Sequence, residues 1–182
     1  FHNENQVTRA ARMLHNDDWF GLSARRTMVS TVGIPEAMLR WSGSFPRSPL
    51  AISLHTVDQR LRESLIPIAQ RYPLPLLRDA MQRMAVAGSP SLLIEYLLLR
   101  GINDSLAQAD ALVRYLDGLP VHVNLIPYNP IAAAPHLRST PRPQREAFGA
   151  RLRERGLTVT IRYSQGRDIA AACGQLAAGA AG

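Results

Sequence analysis

Five short, β-prone apolar runs punctuate the chain: TMVST (27–31), LAISLH (50–55), SLLIEYLLL (91–99), VHVNLIPY (121–128) and TVTIRYS (158–164). Between them the spacing changes to the mixed apolar and polar rhythm of amphipathic helices. IPEAMLRW (34–41) carries Pro35 at a helix start, and DQRLRESL (58–65) reads as a short helix. PLLRDAMQRMAVAG (75–88) reads as a longer helix that stops at Gly88. DSLAQADALVRYLDG (104–118) is capped by Asp104 or Ser105 and stopped by Gly118. PRPQREAFGARLRERG (141–156) begins at prolines and ends at Gly156. NQVTRAARML (5–14) reads as one more helix, whose preceding strand is absent.

Strand then helix, five times over, predicts an α/β fold of parallel strands with helices outside, either a doubly wound sheet or part of a barrel. The strand runs are almost continuously apolar, as expected of strands covered on both faces. Composition agrees with a globular domain: 46% of the 182 residues are hydrophobic and 19% charged. One cysteine, Cys173, excludes an internal disulfide framework and an all-cysteine metal site within this chain. It also points to a reducing, cytoplasmic setting. SLLIEYLLL is too short to cross a bilayer, and Glu95 interrupts it. All 21 basic side chains are arginine and the net charge is +7, a balance that attracts nucleic-acid phosphates without specifying them.

In such folds ligands bind where the strands end at their carboxyl side. Ser30, Thr31 and then Gly33 fall there after the first run, Ser53 and His55 after the second, Asn124 and Tyr128-Asn129 on the fourth, and Ser164 with QGRD after the fifth. Singly, each has a plainer explanation: Ser30 and Thr31 shaping a turn, His55 as a satisfied core histidine, Asn129-Pro130 as turn chemistry. Together they predict a polar ligand lying across one rim. Glu95, in mid-strand, is expected to be an interior carboxylate paired with an arginine. Cys173, in DIAAACGQL (168–176), is either a small apolar residue among alanines or a nucleophile.

RRTMVSTVGI, AISLH, RESLIPIAQRYPL, IEYLLLRGINDS, VNLIPYNP and GRDIAAACGQL follow one another in an order and at intervals that resemble the RlmN/Cfr family of radical S-adenosylmethionine (SAM) RNA methyltransferases. The resemblance runs from about Phe1 to Leu176 and is closest on the RlmN side. It implies a partial (β/α) barrel whose first strands are missing from this chain, spanning 1–176, with a flexible tail at 177–182. It implies that Ser30, Ser53, Leu54, His55 and Asn129 line the SAM site. The family's 4Fe–4S cluster motif CxxxCxxC, its Gly-Glu-Pro motif, a proton-accepting glutamate and a second cysteine are all upstream elements that these residues do not include. Three positions depart from the family pattern: Val32 in STVG, Ala69 in PIA, and Ala170 in DIAAACGQL.

The implied reaction is methylation of adenine C2 in 23S rRNA and, in some members, tRNA; the Cfr branch methylates C8. C2 carries an unreactive C–H, so ordinary polar methylation has no nucleophile. By resemblance, one SAM methylates Cys173, and a second yields a radical that takes a hydrogen from that methyl group. The resulting carbon radical adds to the base, and the second cysteine resolves the protein–RNA link by forming a disulfide. The same resemblance implies an electron donor such as flavodoxin, a monomer and no membrane. Two alternatives stay open: a truncated, non-catalytic RNA- or SAM-binding remnant, and, on the βα order alone, an unrelated barrel enzyme acting on a phosphorylated metabolite.

Overall fold

The structure is a computed structural model and describes residues 3–90, 92–131 and 134–163. Its elements alternate as the apolar runs predict. In chain order they are α1 (Glu4–His15), β1 (Val29–Thr31), α2 (Pro35–Ser44), β2 (Leu50–Ser53), α3 (Gln59–Leu65), α4 (Leu74–Val86), β3 (Leu92–Leu98), α5 (Leu106–Leu116), β4 (Val121–Pro127), α6 (Arg142–Glu154) and β5 (Thr158–Ile161). Short 3-10 turns at Ala24–Arg26 and Pro67–Gln70 are additions that the apolar pattern does not signal. Local chemistry sets the helix starts. The Asp58 carboxylate accepts the Leu61 N–H at 2.9 Å, and the Ser105 hydroxyl, rather than Asp104, accepts the Gln108 N–H at 3.3 Å.

All strand pairs are parallel and the sheet order is β1-β2-β3-β4-β5. Sequential parallel strands, whose crossovers as a rule share one hand, place the helices on one face and leave the other open, which is the partial (β/α) barrel expected. Strand parity decides what faces where. Leu92, Ile94, Tyr96 and Leu98 of β3 and Val121, Val123 and Leu125 of β4 join a core with Leu77, Met81, Leu112, Phe148 and Leu152 from the helices. The alternate residues line the open face. One row across it, in register, is Ser53, Glu95, Asn124 and Thr160; the row a pleat below is Ser30, Ala51, Leu93, His122 and Thr158.

Close helix–sheet packing needs a glycine at one point. A Cβ on Gly149 of α6 would stand 2.9 Å from Ile161 Cδ1 and 3.4 Å from Leu125 Cδ1. At the rim, the loops after β3 and β4 are tied together. Asp104 accepts the Gly101 N–H at 2.9 Å and the Thr140 hydroxyl at 2.7 Å, and Leu99 bridges Ser139. This tie braces the loop that carries Tyr128 and Asn129.

Candidate functional site

Two clefts open at the carboxyl ends of the strands and meet at Ser53. The larger, about 780 Å³, is lined by Ser30, Thr31, Val32, Ser53 and the segment Leu65–Ile68. The smaller, about 360 Å³, is lined by Ser53, His55, Glu95, Leu97, residues 126–129, Ile131 and Arg162. The structure therefore brings Ser30 and Ser53 to one cleft and Ser53, His55 and Asn129 to its neighbour, with Ser53 common to both. Leu54 differs: parity turns its side chain to the helix side, where it is fully buried in the core. Only its backbone is available to a ligand. Thr31 also faces the helices, and its hydroxyl accepts the Gly33 N–H at 3.2 Å, so it shapes the turn as its plainer reading holds. Ser164, Cys173, Ala170 and the tail 177–182 lie outside the described residues.

His55 is the most constrained residue of the site. Its backbone is left-handed, with φ 61°, the sole non-glycine residue with positive φ among those described. Its Nδ1 accepts the Leu97 N–H at 3.1 Å, and its carbonyl accepts from Asn103 Nδ2 at 2.7 Å. Burial, with a contribution from the Arg62 charge, lowers its pKa to about 4, so the ring is neutral at physiological pH.

Glu95 corrects one expectation. Its carboxylate stands opposite Ser53, whose hydroxyl donates to it at 3.4 Å, and among the described residues no arginine lies within ion-pair distance of it. β3 presents Glu95 to the open face, in the cleft that Arg162 also lines. A carboxylate there, with no ion-pair partner among the described residues, can meet a ligand that carries positive charge.

Sequence reading misses Arg62. It is fully buried on α3, and its Nη2 donates to the Val32 carbonyl at 2.7 Å, while Nε and Nη1 have no partner among the described residues. Desolvation lowers its pKa, yet a guanidinium stays protonated in proteins. This contact pins the turn after β1, the wall of the larger cleft. Gly33 in the same turn has φ 90°, and a Cβ there would press Leu77 at 3.0 Å and Arg62 Nη2 at 3.4 Å. Asn103 is likewise missed, although it is buried and bonded to β3 and His55 alike.

SAM suits these adjoining clefts: hydroxyls at Ser30 and Ser53, a neutral histidine edge at His55 and the Glu95 carboxylate match its adenosine oxygens and nitrogens and its cationic end. A 4Fe–4S cluster does not suit them. The chain has one cysteine, and the described residues hold no cluster of three metal-binding side chains. Nor, among them, is any helix long and apolar enough to cross a membrane.

No family model matches the chain. It is 47% identical over 175 residues, 96% of its length and 46% of the relative's, to a probable RNA methyltransferase of Rhodopirellula baltica. It is 47% identical over 99% of its length to a Frankia alni protein named "Probable dual-specificity RNA methyltransferase RlmN", and 41% identical over 96% of its length to one of the same name from Thermus thermophilus. The chain spans about half the length of these relatives, 43% and 49% of the latter two. Among solved structures, it superposes on a radical SAM methyltransferase from Sphaerobacter thermophilus with a TM-score of 0.92 at 41% identity, covering 96% of this chain and 51% of that one. A domain of a pyruvate-formate lyase-activating enzyme from Bacteroides vulgatus shares the fold alone, with a TM-score of 0.66 at 19% identity over 88% of this chain and 94% of that domain.

Proposed function

Because this chain is related along nearly its whole length to the RlmN-type radical SAM RNA methyltransferases, we propose that it is the SAM-lining, methyl-carrying portion of an enzyme that methylates adenine C2 in 23S rRNA, and in tRNA as a second substrate. The observation that carries this reading is the match itself, 41–47% identity over at least 96% of the chain to the relatives named above. The two adjoining clefts that share Ser53, one lined by Ser30 and the other by His55 and Asn129, support it.

In this reading Ser30 and Ser53 give hydroxyls to SAM, His55 donates a hydrogen bond, Asn129 closes the far wall, and Leu54 contributes backbone only. SAM supplies the methyl group and the adenosyl moiety when bound. Glu95 balances a cationic ligand, and Cys173 receives the methyl group and passes its carbon to RNA. The 4Fe–4S cluster belongs to a part of the enzyme outside these 182 residues, as do the second cysteine and its disulfide. The excess of arginines attracts RNA phosphates. The enzyme works as a cytoplasmic monomer served by an electron donor such as flavodoxin.

The test is a full-length, cluster-loaded protein incubated with SAM, reductant and a 23S rRNA fragment, with nucleosides read by mass spectrometry. 2-Methyladenosine is the expected product. 8-Methyladenosine would make it a Cfr-type enzyme, and SAM or RNA binding without methylation would make it a remnant. A companion expectation concerns the cluster. Anaerobic reconstitution of the 182-residue chain with iron and sulfide should give no stoichiometric 4Fe–4S absorbance, because one thiol cannot replace the three that such a motif supplies. Stoichiometric cluster on this chain would overturn the assignment of the cluster to another part.

A further inference from the structure

We infer that Asn103 is a positioning residue for the ligand cleft: it holds His55 in its left-handed turn and thereby makes the imidazole an Nε2–H donor toward the ligand. Three geometric facts lead there. First, the chain leaves β2 abruptly. Leu54 N–H and His55 N–H both donate to the Glu95 carbonyl, at 3.0 and 3.4 Å, and φ 61° at His55 follows. That conformation is unfavourable for a residue with a Cβ and persists only where its surroundings hold it.

Second, Asn103 supplies the hold. It is fully buried in the loop between β3 and α5. Its Nδ2 donates to the His55 carbonyl at 2.7 Å and to the Leu97 carbonyl at 2.8 Å, and its Oδ1 accepts the Leu99 N–H at 2.7 Å. Its own carbonyl accepts the Tyr96 hydroxyl at 2.8 Å, which fixes the loop against β3. Both amide protons are used and point at two carbonyls. Aspartate has no donor to offer, serine has one, and glutamine is a methylene too long.

Third, the Leu97 N–H that β2 would otherwise receive is donated to His55 Nδ1. A backbone N–H can only donate, so Nδ1 must be the acceptor and Nε2 must carry the proton. The ring lines the smaller cleft, and besides the Leu97 N–H it meets the Glu95 backbone, whose hydrogen bond opposes the lowering of its pKa by burial. The charged groups around it, Arg62 on α3, Glu95 on β3 and Arg162 after β5, do not change this assignment, because protonating Nδ1 would set two N–H groups against each other. The ligand atom that meets His55 must therefore bring a lone pair. This step rests on the SAM reading above: of SAM's groups, an adenine nitrogen, a ribose oxygen or a carboxylate oxygen qualifies, and the sulfonium and ammonium do not.

The test uses the full-length protein. Imidazole ¹⁵N spectra should show His55 with Nδ1 bare and Nε2 protonated from about pH 5.5 to 8, well above where it titrates. The resonance is assigned by its loss in His55→Asn. Asparagine tolerates the left-handed backbone and places Oδ1 where Nδ1 accepted from Leu97, but has no Nε2–H. His55→Asn should therefore melt as the unmodified protein does while binding SAM roughly tenfold more weakly. Asn103→Ser should shift His55 to mixed tautomers with a titration nearer its ordinary value, and should weaken SAM comparably. An Nδ1-protonated His55, or one titrating near 6.5 in the unmodified protein, would overturn the inference whatever SAM does. Unchanged SAM affinity in His55→Asn, with the expected tautomer observed, would instead overturn the SAM reading of the cleft. If Asn103→Ser fails to fold, the native tautomer and His55→Asn still decide.

Discussion

Cys173→Ala is expected to abolish methylation of RNA while leaving folding, cluster content and SAM binding intact. The substitution removes a single sulfur beside Ala170, Ala171 and Ala172, and a small-to-smaller change of that kind costs about 1 kcal/mol or less even where the site is packed. Loss of turnover therefore cannot be ascribed to loss of structure. A cysteine that accepts a methyl group must react as its thiolate, which requires the thiol pKa to fall toward neutrality in an electropositive setting. Arg167, six residues upstream, is the nearest cation in sequence able to provide it. SAM labelled in its methyl group should place one label on Cys173 of the unmodified enzyme and none on the variant. Methylated RNA from Cys173→Ala at the normal rate would return this cysteine to a packing residue and remove the methyl-carrier step.

The parts of this molecule that the sequence makes legible are those governed by local pattern. Five apolar runs and the helices between them specify parallel strands with helices outside, because each run is long enough to show strand character; the pattern alone leaves a doubly wound sheet and part of a barrel both open, and the sequential order is seen only in the structure. The rim residues are legible for a related reason: a ligand site at the carboxyl ends of strands follows from the fold. What was not legible depends on pairs far apart in the chain. Arg62 and Val32 are thirty residues apart, and Asn103 and His55 forty-eight. Nothing in RESLIP or GINDS announces that a guanidinium or an amide will reach those carbonyls. Leu54 shows a second limit. A motif that reads Ser53-Leu54-His55 as a unit overlooks that a strand turns consecutive side chains to opposite faces. Glu95 shows a third, since mid-strand placement says that a carboxylate will face one side of the sheet, not which cation, if any, will meet it.

Arg62 allows the shaping of the larger cleft, proposed to take SAM, to be separated from the stability of the fold. Arg62→Ala deletes a fully buried side chain and leaves a cavity beside Leu77 and Gly33 together with an orphaned Val32 carbonyl. It is expected to destabilise the protein by about 3 kcal/mol. Arg62→Met keeps most of the volume and removes a charge whose Nε and Nη1 have no partner among the described residues. Replacing a poorly compensated buried charge by an apolar side chain of similar size is often neutral or stabilising, so this variant should lie within about 1 kcal/mol of the unmodified protein. Methionine cannot hold the Val32 carbonyl, however, and the turn that walls the larger cleft then loses the side-chain hydrogen bond that reaches it from α3. SAM affinity should fall roughly tenfold in Arg62→Met despite its intact melting temperature, the loss expected when one charged hydrogen bond no longer orders a binding surface. Denaturant melts and SAM titrations on both variants provide the comparison. If Arg62→Met kept full affinity, the guanidinium would be filling space rather than shaping the cleft. If it unfolded as readily as Arg62→Ala, the buried charge would be supporting the core through partners beyond Val32.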